Sequence, residues 1–183
     1  MRLFAAIPLP PVAHEAAARS LHEIRDLGWP VRWVRQEGLH LTLKFFGEVV
    51  PERLETIAEM LGFSVDRVPQ MVLAITGAGV FPHASRPRVI RLDLSGCSEL
   101  ELLQDRIERG GERIGFPPEG RPFHPHLTLG RVREGHRLPS GALDFLSKVP
   151  PQPSFIADRL VLFESELGVD GPLYQARAEF ILR

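Results

Sequence analysis

Apolar residues follow two periods along this chain, and the points where the period changes predict its elements. Leu3 to Leu9 is an apolar run stopped by Pro10 and Pro11, which reads as a first strand. From Val12 to Leu27 the apolar positions Ala13, Ala16, Ala17, Leu21 and Ile24 form one helical stripe. Val31 to Val34 and Leu39 to Phe46 read as strands on either side of a Gln36-Glu37-Gly38 turn, and the two could pair as a hairpin. Pro51 opens a helix through Leu61, since its missing N–H would be unpaired in a first turn anyway. Val72 to Val80 and Arg88 to Leu94 are strands around a Pro/Gly-rich loop. Leu100, Leu103, Ile107 and Ile114 set a helix over Ser98 to Ile114, which Gly115 and Pro117-Pro118 end. A strand over His124 to Val132, a short helix over Pro139 to Val149, and strands over Phe155 to Leu162 and Leu173 to Leu182 complete the chain. Strands interleaved with about four helices predict a mixed α/β or α+β fold. Alternation of apolar and polar positions within strands predicts antiparallel sheets with helices on one face.

One repeat stands out of this pattern. His-Leu-Thr-Leu occurs at His40 to Leu43 and again at His126 to Leu129, each time inside a predicted strand. Threonine occurs only at Thr42, Thr56, Thr76 and Thr128, yet two of the four follow a histidine by two residues. Successive strand side chains point to opposite faces, so each copy gives the core two leucines and gives the other face an imidazole beside a hydroxyl. Two such strands side by side set two imidazoles across one cleft. An imidazole titrates near 6.5, so one can act as base while the other acts as acid, and the hydroxyls can donate to a bound anion. In-line displacement at phosphorus needs that set: a base for the nucleophile, an acid for the leaving oxygen, and donors for the remaining oxygens. It calls for no cofactor and no metal.

Composition narrows the partners. With 183 residues and a formal net charge of -1, the chain suits one globular unit and not a protein that coats long nucleic acid, though a local basic site remains open. A single cysteine, Cys97, allows no internal disulfide and fits a reducing compartment, so a cytoplasmic location is expected. The longest apolar stretch, Met71 to Pro82, is broken by Thr76, Gly77 and Gly79 and is too short to span a membrane.

At the repeated motif the sequence resembles the 2H phosphoesterase superfamily, and within it the RNA 2′,3′-cyclic phosphodiesterases, also called 2′-5′ RNA ligases. The likeness extends through Arg2-Leu3-Phe4, Arg32-Trp33-Val34, the run from Leu39 to Val49, Pro87-Arg88-Val89, Phe123 to Arg131, Leu162 to Leu167 and Gly171 to Tyr174. The resemblance implies one bilobal α+β domain over 1–183, with two antiparallel sheets flanking a central cleft, helices outside and a pseudo-twofold axis. It implies hydrolysis of 2′,3′-cyclic phosphate on RNA ends or nucleotides to a 2′-phosphomonoester, without metal. Modest size and near-zero net charge fit a monomer with no obligate protein partner. His40 is then the proton donor and His126 the proton acceptor, with Thr42 and Thr128 on the phosphate oxygens. Which histidine is acid and which base follows from the resemblance alone. His124, two residues before His126, departs from the family pattern.

Secondary candidates follow from strand phase. Lys44 shares a face with His40 and Thr42 and would bring positive charge to the phosphate. Arg131 falls on the leucine face and reaches the cleft only if the strand ends or bulges near Gly130. Trp33, Phe45, Phe46 and Phe123 are candidates for a base-stacking platform, and Arg32, Arg35, Arg86, Arg88, Arg91, Arg121 and Arg133 for an RNA-binding rim. Two rival functions remain: a metal-dependent hydrolase that ligates through His124, His126 and either His40 or His83, and a non-catalytic module that binds nucleotides or RNA ends. Ligation, with a 5′-hydroxyl in place of water, would use the same residues.

Overall fold

A computed structural model describes residues 1–168 and 171–183. Its strands are β1 (Arg2–Pro8), β2 (Val31–Trp33), β3 (His40–Glu48), β4 (Met71–Leu73), β5 (Ile75–His83), β6 (Arg86–Leu94), β7 (His126–Val132), β8 (Phe155–Ala157), β9 (Arg159–Gly168) and β10 (Gly171–Ile181). Its helices are α1 (Pro11–Arg25), α2 (Leu54–Ser64), α3 (Ser98–Arg113) and α4 (Ala142–Ser147). The fold is α+β with antiparallel pairing throughout. Pro11 sits in the first turn of α1, and acidic Glu99 and Glu101 in the first turn of α3 with Arg113 in its last complement the helix dipole.

An eight-stranded sheet runs in the order β10-β9-β1-β3-β7-β6-β5, with β2 also on β7, and β4 and β8 form a separate two-stranded sheet. Two halves meet in the large sheet. The β10-β9-β1-β3 half and the β7-β6-β5 half are joined by a single register pair, Leu41 opposite Leu127. Leu3, Ile7, Leu41, Leu43, Leu127 and Leu129 pack in one core with Leu21 and Ile24 of α1, Ile57 and Leu61 of α2, and Leu100, Leu103 and Ile107 of α3. The helices therefore cover the leucine face of both motif strands and leave the histidine face uncovered.

Two sequence expectations change. The predicted β2–β3 hairpin does not form, because β2 pairs with β7 through Val31 opposite Val132 and Trp33 opposite Gly130. Gly130 makes that pairing possible: a Cβ there would lie 2.5 Å from Val31 Cγ1 and 3.0 Å from the Arg32 carbonyl oxygen. The strand predicted over Val72 to Val80 is two strands, β4 and β5, which leave for different sheets at Ala74. No helix among the described residues is long and apolar enough to cross a membrane.

Candidate active site

Both His-Leu-Thr-Leu motifs lie where the halves of the sheet meet. Leu41 and Leu127 pair across the junction, and the antiparallel register set by that pair puts His40 across from Thr128 and Thr42 across from His126. Leu41 and Leu127 are buried, while the histidines and threonines between them are half-buried on the opposite face. The two imidazoles are close enough for the charge of His126 to depress that of His40.

Each motif is followed by the same backbone irregularity. Ala5 pairs with Lys44 and Ala6 with Thr42, so Leu43 is an extra residue in β3. Arg91 pairs with Thr128 and Ile90 with Gly130, so Leu129 is an extra residue in β7. Such a bulge turns the following positions through one step of strand phase. Lys44 and Gly130 thereby face the core with the leucines, and Phe45 and Arg131 face the cleft.

This bulge corrects the reading of Lys44. The residue is 2% exposed, with its side chain on the helix side of the sheet, where Nζ lies 2.6 Å from Glu108 Oε2 of α3 and donates to the Pro117 carbonyl at 3.0 Å. A Cβ on Gly111 would lie 2.6 Å from Lys44 Cε, so the glycine leaves room for the stem. Lys44 ties the first motif strand to α3 and supplies no charge to the cleft. The condition attached to Arg131 is met instead. Arg131 is exposed opposite Arg32 of β2, and its charge acts on Tyr174 in the aromatic wall of the cleft.

That wall was not legible as such in the sequence. Phe4 stacks on His40, with ring centroids 4.7 Å apart, and on Phe163, 5.4 Å away, and the three rings form one cluster in which His40 and Phe163 are 6.2 Å apart. Tyr174 meets both Phe4 and His40 edge-on, at 5.1 and 5.3 Å, and Phe45 tilts against Phe4 at 5.8 Å. These rings come from four strands. Of the proposed stacking platforms, Phe45 is on the cleft face and 52% exposed, whereas Phe46 is buried and Trp33 and Phe123 pack against the core. On the other side, His126 meets Phe81 edge-on at 4.9 Å. The Arg91 guanidinium lies 3.6 Å over the Phe81 ring and is held by Asp93 at 2.6 Å.

Each imidazole interacts with the backbone two residues before it, His126 with His124 and His40 with Gly38. His126 Nδ1 lies 2.7 Å from the His124 carbonyl oxygen. A carbonyl only accepts, so Nδ1 carries the hydrogen and the neutral ring keeps its lone pair on Nε2. Burial lowers the pKa of His126, the carbonyl opposes that, and nearby Arg91 lowers it further. Burial pushes His40 down to about 4, against the raising effect of the Gly38 backbone. Both rings are therefore neutral at pH 7 in the free protein.

The remaining candidates disperse. Arg32 lies on the cleft face with Arg131, Arg35 pairs with Glu37 at 3.6 Å, and Arg121 and Arg133 are exposed. Arg86 and Arg88 lie at the far end of β6. His124 is exposed and precedes β7, and His83 ends β5. Among the described residues no three His, Cys, Asp or Glu side chains converge as a metal-holding group, so the proposed three-histidine ligand set is not assembled.

Residues 10–168 match the 2′-5′ RNA ligase superfamily. A relative from Aeropyrum pernix named RNA 2′,3′-cyclic phosphodiesterase is 37% identical over 124 residues, covering 67% of this chain and 69% of the relative. One of the same name from Thermotoga maritima is 30% identical over 180 residues, covering 98% and 94%. The crystal structure of Escherichia coli LigT in its apo form superimposes with a TM-score of 0.78 at 26% identity, covering 99% of this chain and 96% of that one.

Proposed function

The chain belongs to the 2′-5′ RNA ligase superfamily, and on that premise we propose that it hydrolyses 2′,3′-cyclic phosphate ends of RNA to 2′-phosphomonoesters by metal-independent acid–base catalysis. The observation that carries this reading is the Leu41–Leu127 pair, which sets two imidazoles and two hydroxyls around one point on the open face of the sheet.

His126 takes a proton from water through Nε2, and the oxygen attacks phosphorus. The P–O3′ bond breaks, and His40 gives its proton to the departing 3′-oxygen. Products are a 2′-phosphomonoester and a 3′-hydroxyl. The hydrogen bond from His126 Nδ1 to the His124 carbonyl suits the base role by fixing the tautomer with its lone pair on Nε2; because the Gly38 backbone acts on His40 in the same sense, the division into base and acid follows the family. The donor role of His40 requires that ring to be charged when substrate is bound. A cyclic phosphate carries one negative charge, and an anion beside an imidazole favours its protonated form. Thr42 and Thr128 donate to the non-bridging oxygens, and Arg131 adds positive charge. A 5′-hydroxyl in place of water gives the ligation reaction with the same groups.

The pKa directions give this mechanism a pH signature. kcat/KM reports the free protein, in which both histidines titrate below 6.5. The reactive form needs one ring charged and one neutral, so it declines tenfold per pH unit above the higher macroscopic pKa of the pair. The alkaline limb of kcat/KM is expected below pH 6.5, and that of kcat at higher pH because bound phosphate raises both rings. A kcat/KM profile still rising through pH 7 contradicts the assignment.

Thr42→Ala and Thr128→Ala are each expected to lower kcat by about 10²-fold, the cost of losing one donor to the transition-state oxygens. Steady-state kinetics on a nucleoside 2′,3′-cyclic phosphate reads this directly. A rise in KM at constant kcat would assign the hydroxyls to ground-state binding.

A further inference from the structure

Away from the cleft, the far end of the β5–β6 ribbon and the segment after β7 enclose a cavity of about 790 Å³ lined by Arg86, Arg88 and Arg137. All three arginines are exposed. Several arginines elsewhere are engaged by carboxylates, among them Arg35 by Glu37, Arg91 by Asp93, Arg109 by Asp105 and Arg159 by Asp158. Among the described residues no carboxylate holds any of the three in the cavity. The one carboxylate in its lining, Asp144, is bridged to Lys148 at 2.6 Å. In a chain of formal net charge -1, three open guanidinium groups in one concavity make a local positive field. Their planar forks match phosphate oxygens, and Ser85 and Ser140 add hydroxyl donors to the lining.

We infer that this cavity binds the phosphodiester backbone of the RNA strand upstream of the reacting end, an inference that rests on the function proposed above. Strand β6 connects the two places. Arg91 pairs with Thr128 of the second motif, and Arg86 lies five residues along the same strand, about 16 Å at roughly 3.3 Å per residue. Phe81 pairs with Val89 and Pro82 with Pro87, so Arg88 is an extra residue that turns the end of the ribbon. A strand a few nucleotides long spans that distance, whereas a mononucleotide in the cleft does not. The cavity thus favours oligonucleotide ends over free cyclic nucleotides.

The test compares the unsubstituted protein with the Arg86→Ala/Arg88→Ala/Arg137→Ala variant on two substrates, a nucleoside 2′,3′-cyclic phosphate and a fluorescently labelled oligoribonucleotide with the same end. The mononucleotide reports the cleft alone and is expected to turn over equally in both proteins, which also shows that the variant is folded. For the oligonucleotide, KM is expected to rise about tenfold or more, with the slope of log KM against log salt falling by about 2, at about 0.7 per lost contact. Equal KM for the oligonucleotide, or equal losses on both substrates, overturns the inference. If the unsubstituted protein converts neither substrate, the proposed function fails, and anisotropy of the labelled oligonucleotide decides the cavity separately. Weaker binding by the variant then supports it, and unchanged binding overturns it.

Discussion

His126→Ala is expected to lower kcat by about 10²- to 10⁴-fold, the range for losing a positioned general base, with a much smaller change in KM. The ring is half-buried on an open strand face, its Nδ1 bonded to a backbone carbonyl and one edge against Phe81. Truncation removes the base without disturbing Leu127 or Leu129, which carry the core side of the strand. His40→Ala is expected to lose a similar factor by removing the acid. It also opens a space beside Phe4, whose ring stacks on His40 at 4.7 Å, so His40→Asn is the cleaner probe of chemistry. Because the two rings act in one step, the double variant is expected to lose far less than the product of the single losses. Near-native turnover by either single variant contradicts the two-histidine mechanism.

Glu108→Ala is expected to cost about 3 to 5 kcal/mol of folding stability, the effect of leaving a buried charge without its partner. The Lys44 side chain is 1% exposed and that of Glu108 is 13% exposed. Glu108 Oε2 accepts from both Lys44 Nζ and the Glu119 backbone amide, so its loss leaves the Lys44 ammonium with the Pro117 carbonyl. Lys44→Met removes the charge with its stem nearly conserved in volume, and is expected to cost less than Glu108→Ala. The double variant recovers part of the loss. Urea denaturation of the four proteins measures this cycle. A cost below about 1 kcal/mol for Glu108→Ala would mean that Lys44 reaches water, against the bulge that turns it inward.

Lys44 also marks where sequence reading stops. Local alternation put it beside Thr42, and the strand itself was correctly located. The reversal comes from Leu43 having no partner in β1, a property of register between segments far apart in sequence. Arg131 is the mirror case, legible as a conditional because Gly130 flagged a possible bulge. The doubled His-Leu-Thr-Leu was visible because both period and composition are local. The aromatic wall was not, since Phe4, Phe45, Phe163 and Tyr174 converge only once β1, β3, β9 and β10 pair. Phe4 and Tyr174 entered the sequence reading only as parts of strings shared with a family, with nothing local to say that they touch His40. The β2–β3 hairpin failed for the same reason: the chain between Trp33 and His40 suits a turn, but the close approach of β2 to Gly130 of β7 decides the partner.

The most direct test of the central claim uses an RNA oligonucleotide ending in a 2′,3′-cyclic phosphate, incubated with the protein in excess EDTA, with the product phosphate identified by ³¹P NMR. The account predicts conversion to a 2′-phosphomonoester by the unsubstituted protein, and a rate lower by orders of magnitude for His40→Asn and His126→Ala. Conversion only after a divalent metal is restored, or a 3′-phosphomonoester as product, would contradict it.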